Sequence, residues 1–297
     1  MMKFVLVACL TKQLNAILWS DLYVQLFSAT LTQDPQKLAR LGLVNPKHFD
    51  ANYLKRSDVN KDDSRPVQAG RYVVPAGLTE KMVECSAEQK PIVLLAILLD
   101  VSNSNGQEES EGANLSIVFT SSVDSTHRLS RLLQLLWEAG GFGKSSAIAE
   151  FSSSINAKQR AAILRRCRSS EPSNRVSVLV CSDGMARGMD LPYVGRVINY
   201  DVPAYAKTYV HRCGRTARAQ RKGMAISVLK GGQISNFNRL RKLIDGGNVE
   251  RMRISTTVVK SIIPTYKSCV KALQRVIEAE ENEEILPSES LQISEWI

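Results

Sequence analysis

Between residue 71 and about residue 266 the chain alternates short apolar runs with longer segments whose apolar positions recur at helical spacing. Residues 91–100, PIVLLAILLD, open with a proline suited to a first helical turn and continue apolar. A polar loop, SNSNGQEESEG, follows. LSIVF (115–119) reads as a strand, and the segment from about Thr126 to Glu138 as a helix. AIAEF (147–151) is a second strand, and AKQRAAILRRC (157–167) a basic amphipathic helix. VSVLVC (176–181), GRVINY (195–200) and MAISVLK (224–230) are further strands. A helix from about Ala204 separates the last two, and another follows. This alternation predicts an α/β fold, a parallel sheet with helices on both faces. Right-handed crossovers then set every strand's carboxyl end on one edge, where ligand loops gather.

The flanks read differently. Residues 1–50 are compact and apolar, residues 51–70 (ANYLKRSDVNKDDSRPVQAG) are a polar linker, and 71–266 form the alternating domain. From about 267 to 297 helical periodicity ends in the acidic run EAEENEE, read as a solvated helix end or a disordered tail. The apolar run Phe4–Leu10 after Lys3 has signal-peptide character, but no A-x-A cleavage pattern follows. A buried strand or helix is the reading preferred there. No run reaches the roughly 18–20 apolar residues of a bilayer span, so no membrane partner is expected.

Charge narrows the partners. With 39 Lys and Arg against 29 Asp and Glu, the net charge of +10 favours polyanions, nucleic acid first. The six cysteines lack CxxC or finger spacing, so reduced thiols are expected and neither a zinc site nor a disulfide framework is.

Two segments carry candidate chemistry. After the strand at 176–181 the chain reads Ser182-Asp183-Gly184-Met185-Ala186-Arg187-Gly188-Met189-Asp190. Free backbone N–H groups and the Ser182 hydroxyl suit a phosphate oxygen. Arg187 adds a fork of donors, and Asp190 an acceptor for a sugar hydroxyl pair. A plain strand-to-helix turn capped by Ser and Asp fits equally well. In YVHRCGRTAR (209–218), His211, Arg212, Arg215 and Arg218 lie on a helix and its end. The arginines are three apart, so two or three face one side and want an anion.

At these residues a resemblance becomes specific. FSAT (27–30), IVFTSS (117–122), VLVCSDGMARGMD (178–190), VINYDVP (197–203) and YVHRCGRTAR resemble, in order, the C-terminal motifs of DEAD-box ATP-dependent RNA helicases. The resemblance implies a RecA-like C-terminal domain, preceded in residues 1–50 by a remnant of a first RecA-like domain. SATLTQDP and FTSS are similar to the branch acting in large ribosomal subunit assembly. That branch implies ribosome-assembly proteins as partners and the nucleus, by way of the nucleolus, as the location.

By the same resemblance, Ser28 and Thr30 couple hydrolysis to strand separation. Thr120, Ser121 and Ser122, with Ser182, Asp183 and Gly184, meet the RNA backbone. Arg187, Gly188 and Asp190 bind the nucleotide, Asp190 through the ribose. Arg215 and Arg218 reach the γ-phosphate of ATP, and His211 links them to the opposing domain. Two positions depart from the family pattern. Ser182 stands where Thr is common, keeping the hydroxyl, and Ala157 replaces the Gln of a Q-x-x-R motif, leaving Arg160 as its RNA contact.

The first-domain P-loop, DEAD box and adenine-reading Gln are not found upstream of Ser28. GGFGKS (140–145) lacks the first P-loop glycine and follows a helix, so it reads as a helix-to-strand loop. ATP with Mg²⁺ would be held mainly by that first domain, and the 297 residues are expected not to hydrolyse ATP unaided. A truncated form is the explanation adopted for this. The competing readings are a non-enzymatic RNA-binding or adaptor module, and a DNA helicase or remodeller half. The SAT tripeptide and the HRCGRTAR form argue against the DNA enzymes.

Overall fold

The computed structural model describes the strands at 4–9, 23–28 and 44–50, then residues 72–103, 115–186, 191, 194–219, 221–282 and 296. The chain divides into two units, residues 1–72 and 73–297. In the first, β1 (Phe4–Cys9), β2 (Tyr23–Ser28) and β3 (Val44–Asp50) form an antiparallel sheet ordered β2-β1-β3. Phe4 lies opposite both Ser28 and Asp50.

The second unit opens at β4 (Tyr72–Val73) and continues with β5 (Leu78–Cys85) and α1 (Lys90–Asn103). Then come β6 (Leu115–Thr120), α2 (Val123–Ala139), β7 (Ile148–Phe151) and α3 (Ala157–Cys167). They are followed by β8 (Val178–Ser182), the single turn α4 (Asp183–Ala186), β9 (Val194–Asn199) and α5 (Ala206–Cys213). The chain ends with β10 (Gly223–Lys230), α6 (Ile234–Arg241), β11 (Ile244–Asp245), β12 (Glu250–Arg251) and α7 (Thr256–Glu281). Seven strands make one sheet, ordered β12-β5-β10-β9-β6-β8-β7, and every pairing in it is parallel.

The continuous apolar strands follow from burial on both faces. Val118, Val180, Ile198 and Val228 point to a layer made by α1, α2 and α7, while Ile117, Phe119, Leu179 and Val197 point to the layer holding α3. Residues Ile92–Leu98 of α1 are buried throughout, so that helix is apolar on every side. Local signals set the helix starts. Ser122 caps α2 by accepting from the Ser125 N–H, and Asn156 with Gln159 forms a reciprocal capping box at α3.

The structure adds a strand the apolar pattern hides. In LTEKMVEC (β5) only Glu80 and Val83 are buried, and Thr79, Lys81 and Glu84 break any hydrophobic run. Glu80 is tolerated inside because the Tyr209 hydroxyl donates to it at 2.7 Å and Arg241 lies 3.0 Å away. Burial, outweighing both partners, still raises its carboxyl above the ordinary value.

The C-terminal helix also differs from expectation. It begins at Thr256, crossing the boundary drawn near 267, and buries Ile262, Cys269, Ala272, Val276 and Ala279 along one stripe. Its acidic end is not simply solvated. The Glu280 side chain is 5% exposed and lies 2.6 Å from both Arg131 and His127 of α2. His127 reaches Glu150 of β7 at 2.7 Å through its other ring nitrogen. Burial opposes a charge on His127, but its bonds to Glu150 and Glu280 outweigh burial and raise its pKa from 6.5 to about 9.

A raised histidine pKa contributes stability that is complete below the unfolded value of 6.5 and lost as pH climbs through about 9. The two carboxyls, held below 4.5 despite burial, guard the acid side. His127→Gln should therefore lower the melting temperature by roughly 3–6 °C at pH 6, and the gap should close above the folded pKa. Thermal melts of both proteins across this range check it; a gap independent of pH would remove the charge from the account.

Candidate nucleotide and nucleic-acid interface

Three neighbouring strands, β9, β6 and β8, end side by side at Asn199, Thr120 and Ser182. Their following loops and α5 carry the residues singled out from sequence. The arrangement turns on Arg212, whose side chain is 3% exposed. Its Nε donates to Asp183 Oδ1 at 2.5 Å and its Nη2 to Oδ2 at 2.7 Å, a two-pronged carboxylate grip. Nη1 donates to the Asp201 carbonyl at 2.5 Å and to Asn199 Oδ1 at 3.2 Å. The guanidinium lies 4.9 Å from the centre of the Phe119 ring.

Of the arginines expected to face one side, Arg212 is thus removed from the anion site. Arg212 is committed to its own fold, and Arg215 and Arg218 lie beyond the end of α5. A bound anion at Arg212 would have to displace a carboxylate already in place.

Arg215 and Arg218 are half-buried, and each Nε donates back to a carbonyl four residues earlier, His211 at 3.4 Å and Gly214 at 2.9 Å. Burial first, and then the charge of Arg218, pull the Arg215 guanidinium below its ordinary pKa. An anion between the two would relieve both effects, so the pair suits a terminal phosphate. The loop holding them is costly: Ala217 and Ala219, on either side of Arg218, have φ of 53° and 51°. This left-handed conformation costs a non-glycine residue about 1–2 kcal/mol and clusters at functional sites. The turn is pinned by the Thr216 hydroxyl, which donates to the Val194 carbonyl at 2.6 Å.

The loop after β6 has two faces. Thr120 is fully buried, and its hydroxyl lies 2.6 Å from that of Thr126, whose own bond runs to the Ser122 carbonyl at 2.7 Å. The Thr120 hydroxyl thus shapes the loop from inside. Ser121 and Ser122 are exposed. Asp201 Oδ2 accepts from the Ser121 N–H at 3.0 Å and hydroxyl at 3.1 Å, while Oδ1 lies 2.8 Å from buried Lys90. Burial would raise the Asp201 pKa, but Lys90 and Ser121 outweigh it and hold the carboxyl low.

Sequence reasoning assigned no role to Asp201, Asn199 or Lys90. The signal for Asp201 was present, an acid just past a buried strand at the ligand edge. Nothing in spacing marks Lys90.

Other expected residues scatter. Ser182 is half-buried, and Gly184 is exposed with open space where a Cβ would stand. Arg160 Nη1 donates to the Ile155 carbonyl just before α3, so part of its fork is spent locally. His211 is half-buried on α5. Ser28 ends β2 in the first unit. Thr30, Arg187, Gly188 and Asp190 lie outside the described residues. Among the described residues no cluster of His, Cys, Asp or Glu is arranged to hold a metal, and no helix is long and apolar enough to cross a membrane.

Residues 90–220 match the helicase conserved C-terminal domain family. The chain is 34% identical over 255 residues to human ATP-dependent RNA helicase DDX51, covering 86% of this chain and 35% of that protein. It is 34% identical to DEAD-box ATP-dependent RNA helicase 1 of Arabidopsis thaliana, covering 85% of this chain and 42% of the relative. With ATP-dependent RNA helicase dbp6 of Schizosaccharomyces pombe it shares 33% over 86% of this chain and 40% of the relative. The chain thus spans less than half the length of these relatives. The fold matches S. cerevisiae Dbp5 bound to RNA and ADP BeF3 at a TM-score of 0.55 and 21% identity, over 80% of this chain and 54% of that one. It matches Mss116p bound to ssRNA and AMP-PNP at 0.55 and 21%, over 83% and 47%. Sheet, edge and matched domain define a RecA-like helicase C-terminal domain. The chain belongs to the DEAD-box RNA helicases, and this is their C-terminal domain.

Two substitutions separate fold from site. Arg212→Lys loses the forked grip on Asp183 and should cost about 2–3 kcal/mol in urea unfolding, below the figure for a fully buried pair because Asp183 is partly exposed. Arg218→Ala should cost less than about 1 kcal/mol. A Cβ on Gly223 would stand 2.2 Å from Thr216 Oγ1 and 2.6 Å from the Ala217 nitrogen. Gly223→Ala should therefore destabilise by about 1–3 kcal/mol through the arginine-bearing turn, and stability equal to the parent would refute the crowding.

Proposed function

We propose that the domain is the second half of an ATP-dependent RNA helicase, gripping RNA by its backbone and supplying arginine fingers to ATP. The observation that carries this reading is the division of labour among three arginines. Asp183 neutralises Arg212, while Arg215 and Arg218 crowd each other in a strained turn at the carboxyl edge.

The roles follow from chemistry. Ser121 and Ser122, with Ser182, Gly184 and the Asp183 main chain, offer small polar groups to phosphate and ribose without reading bases. The Asp183 carboxylate takes no part in that contact, because it is bound to Arg212 and would repel a phosphate. Arg187, Gly188 and Asp190 remain assigned to the nucleotide, and His211 to the opposing domain. Mg²⁺-ATP, held mainly by a first RecA-like domain, brings the phosphoryl group to be transferred. Arg215 and Arg218 offset charge that develops on its terminal phosphate, an effect worth about 10³–10⁵ in rate in other NTPases.

Ser28 and Thr30 would couple hydrolysis to strand separation, residues 1–50 being assigned to the first domain. The similarity to DDX51 and dbp6, with the SATLTQDP phrase, supports a place in large ribosomal subunit assembly, with RNA and assembly proteins as partners in the nucleolus.

A second reading is an RNA-binding module without turnover. Mixing the chain with a separately produced first domain distinguishes the two. RNA-stimulated ATP hydrolysis appearing only in the mixture supports the helicase reading, and RNA retention without rescue supports the module. In a complete two-domain enzyme, Arg215→Ala and Arg218→Ala should each lower kcat by about 10³-fold or more with RNA affinity within a few-fold. Equal loss of both would remove the finger assignment.

A further inference from the structure

Helix α3 carries more positive charge than the one arginine assigned to RNA. Between Ala157 and Cys167 it holds Lys158, Arg160, Arg165 and Arg166, Arg168 follows at once, and no acid interrupts the series. Lys158, Arg165 and Arg168 are exposed. At about 100° per residue, Lys158 and Arg165 fall within roughly 20° of one another on the helix surface, Arg168 lies about 80° round from Lys158, and the three span about 15 Å along the axis. Lys158 and Arg165 have no ion pair or side-chain hydrogen bond among the described residues.

Helix stabilisation accounts for only part of this pattern. Cations in the last turn suit the negative end of the helix dipole, so Arg165 and Arg166 have a structural use. Lys158 has the opposite position. It stands in the first turn, where a positive charge is disfavoured, and no acid accompanies it.

The stripe continues past the helix. Arg166 Nε donates to the Asn174 carbonyl at 3.2 Å and its Nη2 to the Ser146 carbonyl. The Val176 N–H returns to the Arg166 carbonyl at 3.3 Å, and the Ser177 N–H reaches Ala147 at 2.8 Å. These bonds gather exposed Lys144 and half-buried Arg175 at the far end of α3, with the Arg175 Nε buried and without a partner. The acids nearby are Glu171, which accepts from Ser173, and Glu138, which accepts from the Ser145 N–H. Cations outnumber them.

We propose that the outer face of α3 is a second RNA-backbone track, running along Lys158, Arg165 and Arg168 toward Lys144 and Arg175. It takes RNA flanking the strand held at the first site, without reading sequence. The track rests on the RNA-binding reading above and extends it to a surface remote from Arg215 and Arg218.

The test uses the 297-residue chain and labelled oligouridylates of about 8 and about 24 nucleotides, a length within one single-strand site and one well beyond it. Lys158→Glu with Arg165→Glu should weaken binding of the longer RNA by about 10-fold or more. Its salt dependence should become shallower by about 1.4 in log–log slope, about 0.7 for each lost phosphate contact. The shorter RNA should bind the variant within two-fold of the parent, which also controls for folding, and the charge-preserving pair Lys158→Arg with Arg165→Lys should restore the longer RNA. Equal losses on both lengths, or none on either, would overturn the track while leaving the RNA reading intact. A parent chain that binds neither RNA would overturn that reading and the track with it. A loss confined to an acidic polypeptide probe would assign the face to a protein.

Discussion

The ligand-facing edge depends on one buried guanidinium. Arg212 joins the loop after β8 through Asp183, the end of β9 through Asn199 and the Asp201 carbonyl, and the end of β6 through the Phe119 ring. Removing such a charge from water costs several kcal/mol, and only a complete set of partners offsets it. The set is available only when three strands end in the observed order and α5 leaves the sheet in one direction. Arg212 therefore acts less as added stability than as a check on geometry. Arg215 and Arg218 emerge where they do because α5 cannot rotate without abandoning Asp183.

The same network joins the two faces of the proposed site. Asp201 accepts from Arg212 through its main chain and from Lys90 and Ser121 through its side chain. A shift of the Ser121 loop on meeting RNA would be felt at Asp201, one bond from the guanidinium that orients α5. That contact chain is short and fully hydrogen-bonded, as a low-dielectric site requires. The αL turn at Ala217 and Ala219 stores a modest strain on the far side of the same helix. Strain there is sustainable because Thr216 is tied to β9, so the turn has nowhere to relax.

Much of this was legible in the chain, for physical reasons that also explain the gaps. Strands such as β6 and β8 are buried on both faces and must be apolar throughout, so their runs stand out. β5 carries a buried Glu80, a half-buried Lys81 and exposed Thr79 and Glu84, and its place in the sheet is decided by pairing with β10 and β12, which local pattern cannot encode. The burial of Glu280 at the end of α7 depends on His127 and Arg131, about 150 residues away in the chain. At the site, a spacing of three could place Arg212, Arg215 and Arg218 together but not say which turns inward. That choice belongs to Asp183, whose tie to Arg212 is a tertiary contact that spacing does not show. The inward turn of the Thr120 hydroxyl was equally hidden, because hydroxyls on a strand end look alike whether they face solvent or Thr126.

One consequence concerns the sign of charge at the edge. A fold that left all three guanidinium groups bare would repel itself, and one that paired all three would leave nothing for a phosphate. Here the Asp183 carboxylate answers Arg212, while Arg215 is depressed by burial and by the charge of Arg218. Under the proposed role, a phosphate between Arg215 and Arg218 would answer that charge. In that role the two guanidinium groups would act as charges already fixed in place, the condition under which such groups contribute most to a transition state. The acid that could have quenched the site, Asp183, is instead what holds it open.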